Sequence, residues 1–145
     1  ASEKGVIKEE KVLPKKVLKG TETILLVDDE QMILEVGKEL LEALGYTVIP
    51  ARNGKEAIEI FMKDKKKIDM VILDMIMPDM GGRETFDRLK QINPDIKVLL
   101  ASGYSINGQA TEILERGCNG FIQKPFNLSQ LSQKIREVLD KSGTF

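Results

Sequence analysis

Five short apolar runs recur along the chain, and each is followed by a stretch with the spacing of an amphipathic helix. The runs are TILLV (23–27), YTVIP (46–50), MVILD (70–74), IKVLLAS (96–102) and GFIQ (120–123). Short runs with little alternation suit strands buried on both faces. The first helix is expected over about 30–44, where Ile33, Val36, Leu40, Leu41 and Leu44 fall at helical spacing and Gly45 is its stop. Asn53-Gly54 opens a second through about Lys63, turning Ala57, Ile58 and Phe61 inward. Three more follow over about 82–92, 108–116 and 127–141, the last carrying Leu128, Leu131, Ile135, Val138 and Leu139. Strands alternating with helices across short connections predict a parallel sheet covered on both faces. Ligands of such sheets bind beyond the carboxyl ends of the strands, at a switch in strand order.

The remaining features narrow the class. At 145 residues the chain is of single-domain size, long enough for a real core. Its net charge of −1 gives no support to nucleic-acid binding. No apolar stretch approaches the roughly 20 residues of a membrane span, and a signal-peptide pattern is absent, so a cytoplasmic location without membrane contact is expected. The single cysteine, Cys118, cannot form an internal disulfide and is read as packing. There is no histidine, which excludes a histidine base or a phosphohistidine carried by these residues. Residues 1–20 contain six lysines and three glutamates. They are expected to be a linker or tail, ahead of a domain over 21–142 and a short tail at 143–145.

The strand ends collect chemistry. The first ends in Asp28-Asp29, the third in Asp74, the fourth in Ser102-Gly103, and Lys124-Pro125 follows the fifth. Two carboxylates about 4 Å apart repel by about 4 kcal/mol at an effective dielectric of 20, so the first cluster needs a counter-charge. Each residue alone has a plainer role as a cap, a turn or a solvated lysine. Together, three carboxylates, a hydroxyl and an ammonium at the same edge form a set for metal-assisted phosphoryl transfer to a carboxylate. The hard oxygens suit Mg²⁺, and Asp74 is the candidate nucleophile.

The motifs LLVDDE (25–30), VILDMIMPDMGG (71–82), LLASGY (99–104) and GFIQKPF (120–126) resemble those of the receiver domain of two-component response regulators. The likeness runs from residue 22 to about 141. It implies a flavodoxin-like (βα)5 three-layer sandwich with a five-stranded parallel sheet in the order 2-1-3-4-5. It implies that Asp74 accepts the phosphoryl group. It further implies that Mg²⁺ is held by Asp29, Asp74 and the backbone carbonyl of Ile76, with Asp28 acting through water. Lys124 matches the lysine that contacts the phosphoryl group and, before that, Asp74. Ser102 matches the switch hydroxyl and Phe121 the switch aromatic, here lacking a tyrosine's phenol. The Lys124-Pro125 bond is expected to be cis. Ile76 and Tyr104 fall where such domains control the approach of water. The implied donor is a histidine kinase or histidine phosphotransfer domain, and the implied homodimer face is helix 4, strand 5 and helix 5.

Other classes fit less well. A flavin-binding flavodoxin wants a Gly/Ser/Thr-rich first loop where this chain is acidic. A haloacid-dehalogenase-type phosphatase wants a second aspartate two residues after the nucleophile, where Ile76 stands. A receiver-like interaction module without phosphorylation has no need of intact acidic and lysine positions. KGTETILLVDDE and the lysine-rich lead-in favour a receiver that follows the kinase module of a hybrid sensor histidine kinase over a stand-alone response regulator.

Overall fold

The computed structural model describes residues 17–75, 80–103 and 108–140. The elements in chain order are β1 (Thr23–Val27), α1 (Gln31–Ala43), β2 (Thr47–Ala51), α2 (Gly54–Asp64) and β3 (Met70–Asp74). Then come α3 (Gly82–Ile92), β4 (Lys97–Ser102), α4 (Gly108–Glu115), β5 (Gly120–Gln123) and α5 (Leu128–Asp140). Among the described residues the strands form one parallel sheet in the order β2-β1-β3-β4-β5. This is the 2-1-3-4-5 order. The chain reverses direction across the sheet between β1 and β3, which opens a crevice at their carboxyl ends.

The sheet divides two packed layers. Along β3, Met70 and Ile72 point to one side, while Val71 and Leu73 point to the other, so the period of two serves both cores. Leu34 and Leu41 of α1 join Leu131, Ile135 and Val138 of α5 on the first side. Ala57, Ile58 and Phe61 of α2, Phe86 and Leu89 of α3, and Ile113 of α4 fill the second. Each fully buried large side chain contributes roughly 1.5–3 kcal/mol of burial energy. Every residue of β3 is buried, as a central strand covered by helices on both faces requires.

Local sequence sets the helix ends. Asn53 Oδ1 accepts the Glu56 amide at 2.7 Å, and Glu56 Oε1 accepts the Arg52 amide at 2.7 Å, starting α2 with a reciprocal cap. Asn127 and Gln130 repeat the device at α5, at 2.8 and 3.1 Å. Lys90 Nζ donates to the Ile96 carbonyl at 2.6 Å and ties the end of α3 to the turn before β4.

In α1, Val36 is exposed, and the buried positions are Leu34, Gly37 and Leu41. Gly37 lets the helix lie close to β1, since a Cβ there would sit 2.9 Å from Leu26 Cδ2. Residues 17–20 of the expected linker pack onto the domain: the Leu18 amide donates to Ser132 Oγ at 3.2 Å and the Gly20 amide to the Leu44 carbonyl at 3.0 Å.

Candidate functional site

β1 delivers Asp28 to the crevice as a buried side chain, 2% exposed, and Asp29 as an exposed one. The alternation of a strand cannot bury two adjacent residues on one face, and the chain is already leaving the sheet here. Asp28 Oδ1 accepts the Glu30 amide at 3.0 Å and turns the strand into α1. Asp74 ends β3 and is 5% exposed, and Ser102 ends β4 at 2%. Lys124 comes from the turn after β5, where its amide donates to the Ser102 carbonyl at 2.7 Å and its bond to Pro125 is cis, as expected.

The lysine sits between two strands. Its Nζ lies 2.9 Å from Asp28 Oδ2 and 3.1 Å from Asp74 Oδ1. Asp28 therefore has both oxygens engaged, one with a backbone amide and one with an ammonium. The Asp29 carboxylate lies beside that of Asp74, with an oxygen of each within 4.8 Å of the other. One ammonium thus serves two buried carboxylates, with a third beside them, and the electrostatics follow from that ratio. Burial pushes the Asp74 carboxyl up to about 7, with the charge of Asp28 and the neighbouring Asp29 carboxyl adding to it and Lys124 opposing it. Burial works against the Lys124 ammonium too, yet its contacts with Asp28 and Asp74 hold its pKa above the ordinary lysine value. The lysine gains from both Asp28 and Asp74, while Asp74 has only a share of one cation.

This arrangement bears on a metal. Oxygens of Asp28, Asp29 and Asp74, one from each, lie within 4.8 Å of one another. Carboxylates this close need a proton or a cation between them, and hard oxygen donors in an open crevice suit a divalent ion that keeps several waters. The residues present fit Mg²⁺. The crevice holds about 600 Å³ and is lined by Asp29, Glu30, Ile33, Asp74, Ser102, Gly103, Lys124 and Pro125.

The expected site residues divide accordingly. Asp28, Asp29, Asp74, Ser102 and Lys124 come together. Phe121 lies half-buried on β5, packed on the core beneath α2, α3 and α4, and is not among the residues lining the crevice. Ile76, its carbonyl and Tyr104 lie outside the described residues. Ile33 and Pro125 add apolar walls that composition around the aspartates did not mark, although Ile33 belongs to the apolar spacing of α1. Gly82 supports the site from behind. Its amide donates to the Met75 carbonyl at 2.9 Å, and a Cβ there would come within 2.7 Å of that oxygen and 3.0 Å of the Asp74 carbonyl.

Comparison with known proteins agrees with this geometry. The family model described as the response regulator receiver domain matches residues 24–136. The sensor kinase CckA of Brucella abortus is 38% identical over 134 residues, covering 92% of this chain and 14% of that protein. The transcriptional regulatory protein CpxR of Escherichia coli K12 is 34% identical over 119 residues, covering 82% of this chain and 50% of its own length. The chain thus spans half or less of these curated relatives. A crystal structure of a response regulator receiver domain protein from Clostridium thermocellum superposes with a TM-score of 0.78 at 32% identity, covering 82% of this chain and 94% of that one. The matched span contains the sheet from its second residue onward and every acidic and basic group of the crevice, and the chain belongs to the response regulator receiver domain family of two-component signalling.

Proposed function

We propose that Asp74 is the phosphoryl acceptor of this receiver domain and that a phosphohistidine is its donor. The observation that carries the assignment is the Asp74 carboxyl itself: it ends the central strand, faces the crevice, and lies 3.1 Å from Lys124 Nζ. An Asp74 oxygen bonds to phosphorus as the P–N bond of the donor breaks. The electron pair returns to the imidazole nitrogen, and a mixed anhydride is left on the protein. Lys124 turns from the carboxylates to the phosphoryl oxygens, and the Ser102 hydroxyl donates to another of them. Mg²⁺ would be held by Asp29, Asp74 and the Ile76 carbonyl, with Asp28 acting through water, and would neutralise charge on the transferring oxygens. The sequence contains no histidine, so the donor imidazole lies outside these 145 residues, in a histidine kinase or phosphotransfer domain. Asp74→Asn keeps the shape of the side chain and removes the nucleophile. With acetyl phosphate and Mg²⁺ as the donor mixture, the wild type is expected to take up phosphate and the variant none; equal labelling of both would sink the assignment.

The same reading gives a context. The similarity to the Brucella sensor kinase runs over 134 residues of a 145-residue chain, so it extends ahead of Thr21 into the lysine-rich lead-in. That favours a receiver carried by a hybrid sensor kinase over a stand-alone regulator. We place it in the cytoplasm, where kinases have ATP; among the described residues no helix is long and apolar enough to cross a membrane. Ser102 and Phe121 would pass the phosphorylated state to the face of α4, β5 and α5, which is also the surface for a homodimer. There Phe121, Gln130, Lys134 and Glu137 border a shallow depression of about 350 Å³.

A further inference from the structure

The segment entering the domain is fastened to the last helix. The Leu18 amide donates to Ser132 Oγ at 3.2 Å, and the hydroxyl of Ser132, fully buried, donates to the Ser129 carbonyl at 3.0 Å. Two residues on, the Gly20 amide is held by the Leu44 carbonyl at 3.0 Å. Gly20 cannot be replaced by a larger residue in place, because a Cβ would run into the Tyr46 ring and, at 2.5 Å, Arg136 Nη1. The Glu22 carboxylate then takes a two-pronged contact from Arg136, at 2.9 and 3.1 Å. Arg136 Nη1 also donates to Tyr46 Oη at 3.3 Å, and its other edge engages Asp140 at 2.6 and 3.3 Å. An arginine fork committed on both edges fixes direction as well as distance.

The other end of α5 is joined to the crevice. Only Pro125, Phe126 and Asn127 separate Lys124 from Leu128, the first residue of α5. Phe126 and Leu128 pack on the core beneath α1 and α5, and Asn127 caps the helix. Lys124 is the group that must leave Asp28 and Asp74 when a phosphoryl group arrives. Between Lys124 and the Ser132–Arg136 contacts lies a single helix, with Leu131 and Ile135 buried.

We propose that residues 17–22 form a strap on α5, through which the state of the crevice is passed to the segment ahead of residue 17. The coupling rests on the assignment of Asp74 and Lys124 given above; the strap itself does not. In this scheme a shift of the Lys124 turn moves α5, and α5 reports it through Ser132 in its first half and Arg136 in its second. The message goes back toward the amino terminus of the chain, and it does not need the α4–β5–α5 surface to be covered by a partner.

Amide hydrogen exchange on the whole 145-residue chain tests this, with and without Mg²⁺ and beryllofluoride. Without them, the Leu18 and Gly20 amides are expected to exchange about tenfold or more slower than in an unstructured chain. Arg136→Ala should abolish that protection and leave the amides of β1 and β3 unchanged. If this variant loses protection throughout the sheet, Arg136→Lys, which keeps the charge and loses the fork, and Ser132→Ala take its place under the same expectation. Adding Mg²⁺ and beryllofluoride should change exchange at Leu18 by about threefold or more in the wild type, as small shifts in opening free energy do, and not in the variants. Unprotected Leu18 and Gly20 amides in the wild type overturn the strap. A response at Ser102 and Lys124 with none at Leu18 and Gly20 overturns the coupling while the site assignment stands. No response at Ser102 and Lys124 overturns the site assignment and the coupling with it.

Discussion

At the scale of single residues, Lys124 concentrates the electrostatics. It bonds Asp28 and Asp74 at once and is only 12% exposed. Removing one partner of a buried pair leaves charge uncompensated, at about 3–5 kcal/mol in a closed interior. This crevice is open to water, so Lys124→Ala is expected to lower stability by about 1–3 kcal/mol at neutral pH in urea unfolding. Mg²⁺ should restore part of it, since the same oxygens would then face a cation; an unchanged midpoint with and without Mg²⁺ would count against the metal site. Gly82 offers a second residue test. Gly82→Ala places a methyl group against the Met75 and Asp74 carbonyls, and phosphate uptake from acetyl phosphate should drop at least about tenfold, a loss of about 1.4 kcal/mol in transition-state stabilisation. The residue types of the site were legible because aspartates at two strand ends and a lysine after a third have few joint explanations. The double engagement of Asp28 was not legible. Nothing in the letters DDE says which carboxylate turns under the sheet to meet a lysine 96 residues away and which stays in water.

At the scale of elements, strands and helices read well wherever apolar period and caps agreed. β3 and α2 stand as expected, the latter started by Asn53. Phe61→Ala, which empties a fully buried site on α2, should cost about 3–5 kcal/mol in denaturant unfolding. Asn127→Ala removes one half of the α5 cap and should cost about 1 kcal/mol; a loss below a few tenths would mean that Gln130 and water replace it. α1 shows where the pattern fails. Its apolar residues occupy two helical stripes, Ile33–Val36–Leu40 and Leu34–Leu41–Leu44, and hydrophobicity alone does not choose between them. The choice is made by Gly37, a residue with no apolar side chain, which allows the approach to Leu26. A pattern of large apolar residues cannot register a position whose contribution is the absence of a side chain.

At the scale of the molecule, Arg136 joins α5, the entering segment and Tyr46, the residue before β2. The Glu22 carboxyl is held below its usual range chiefly by its hydrogen bond from Arg136, against the opposing effect of burial. A carboxyl with a depressed folded pKa stabilises the fold above its unfolded pKa, and that contribution is lost as pH falls through the folded value. The stability difference between wild type and Arg136→Ala should therefore be full at pH 7 and shrink below about pH 4.3, the ordinary glutamate value. Thermal unfolding from pH 7 to pH 3 reads this directly, and a difference that grows on acidification would reverse the assignment. None of these contacts was legible from sequence, because Glu22 and Arg136 are 114 residues apart and each resembles ordinary surface charge. α5 itself has a further consequence. At 13 residues it runs about 20 Å, the height of the sheet it covers. The crevice lies at the first end of that helix, and the Arg136 contacts of the entering segment lie in its second half. On the proposed assignment, a donor domain would approach Asp74 at the crevice end of α5, away from the Arg136–Glu22 contact, so loading the domain would not require that contact to open.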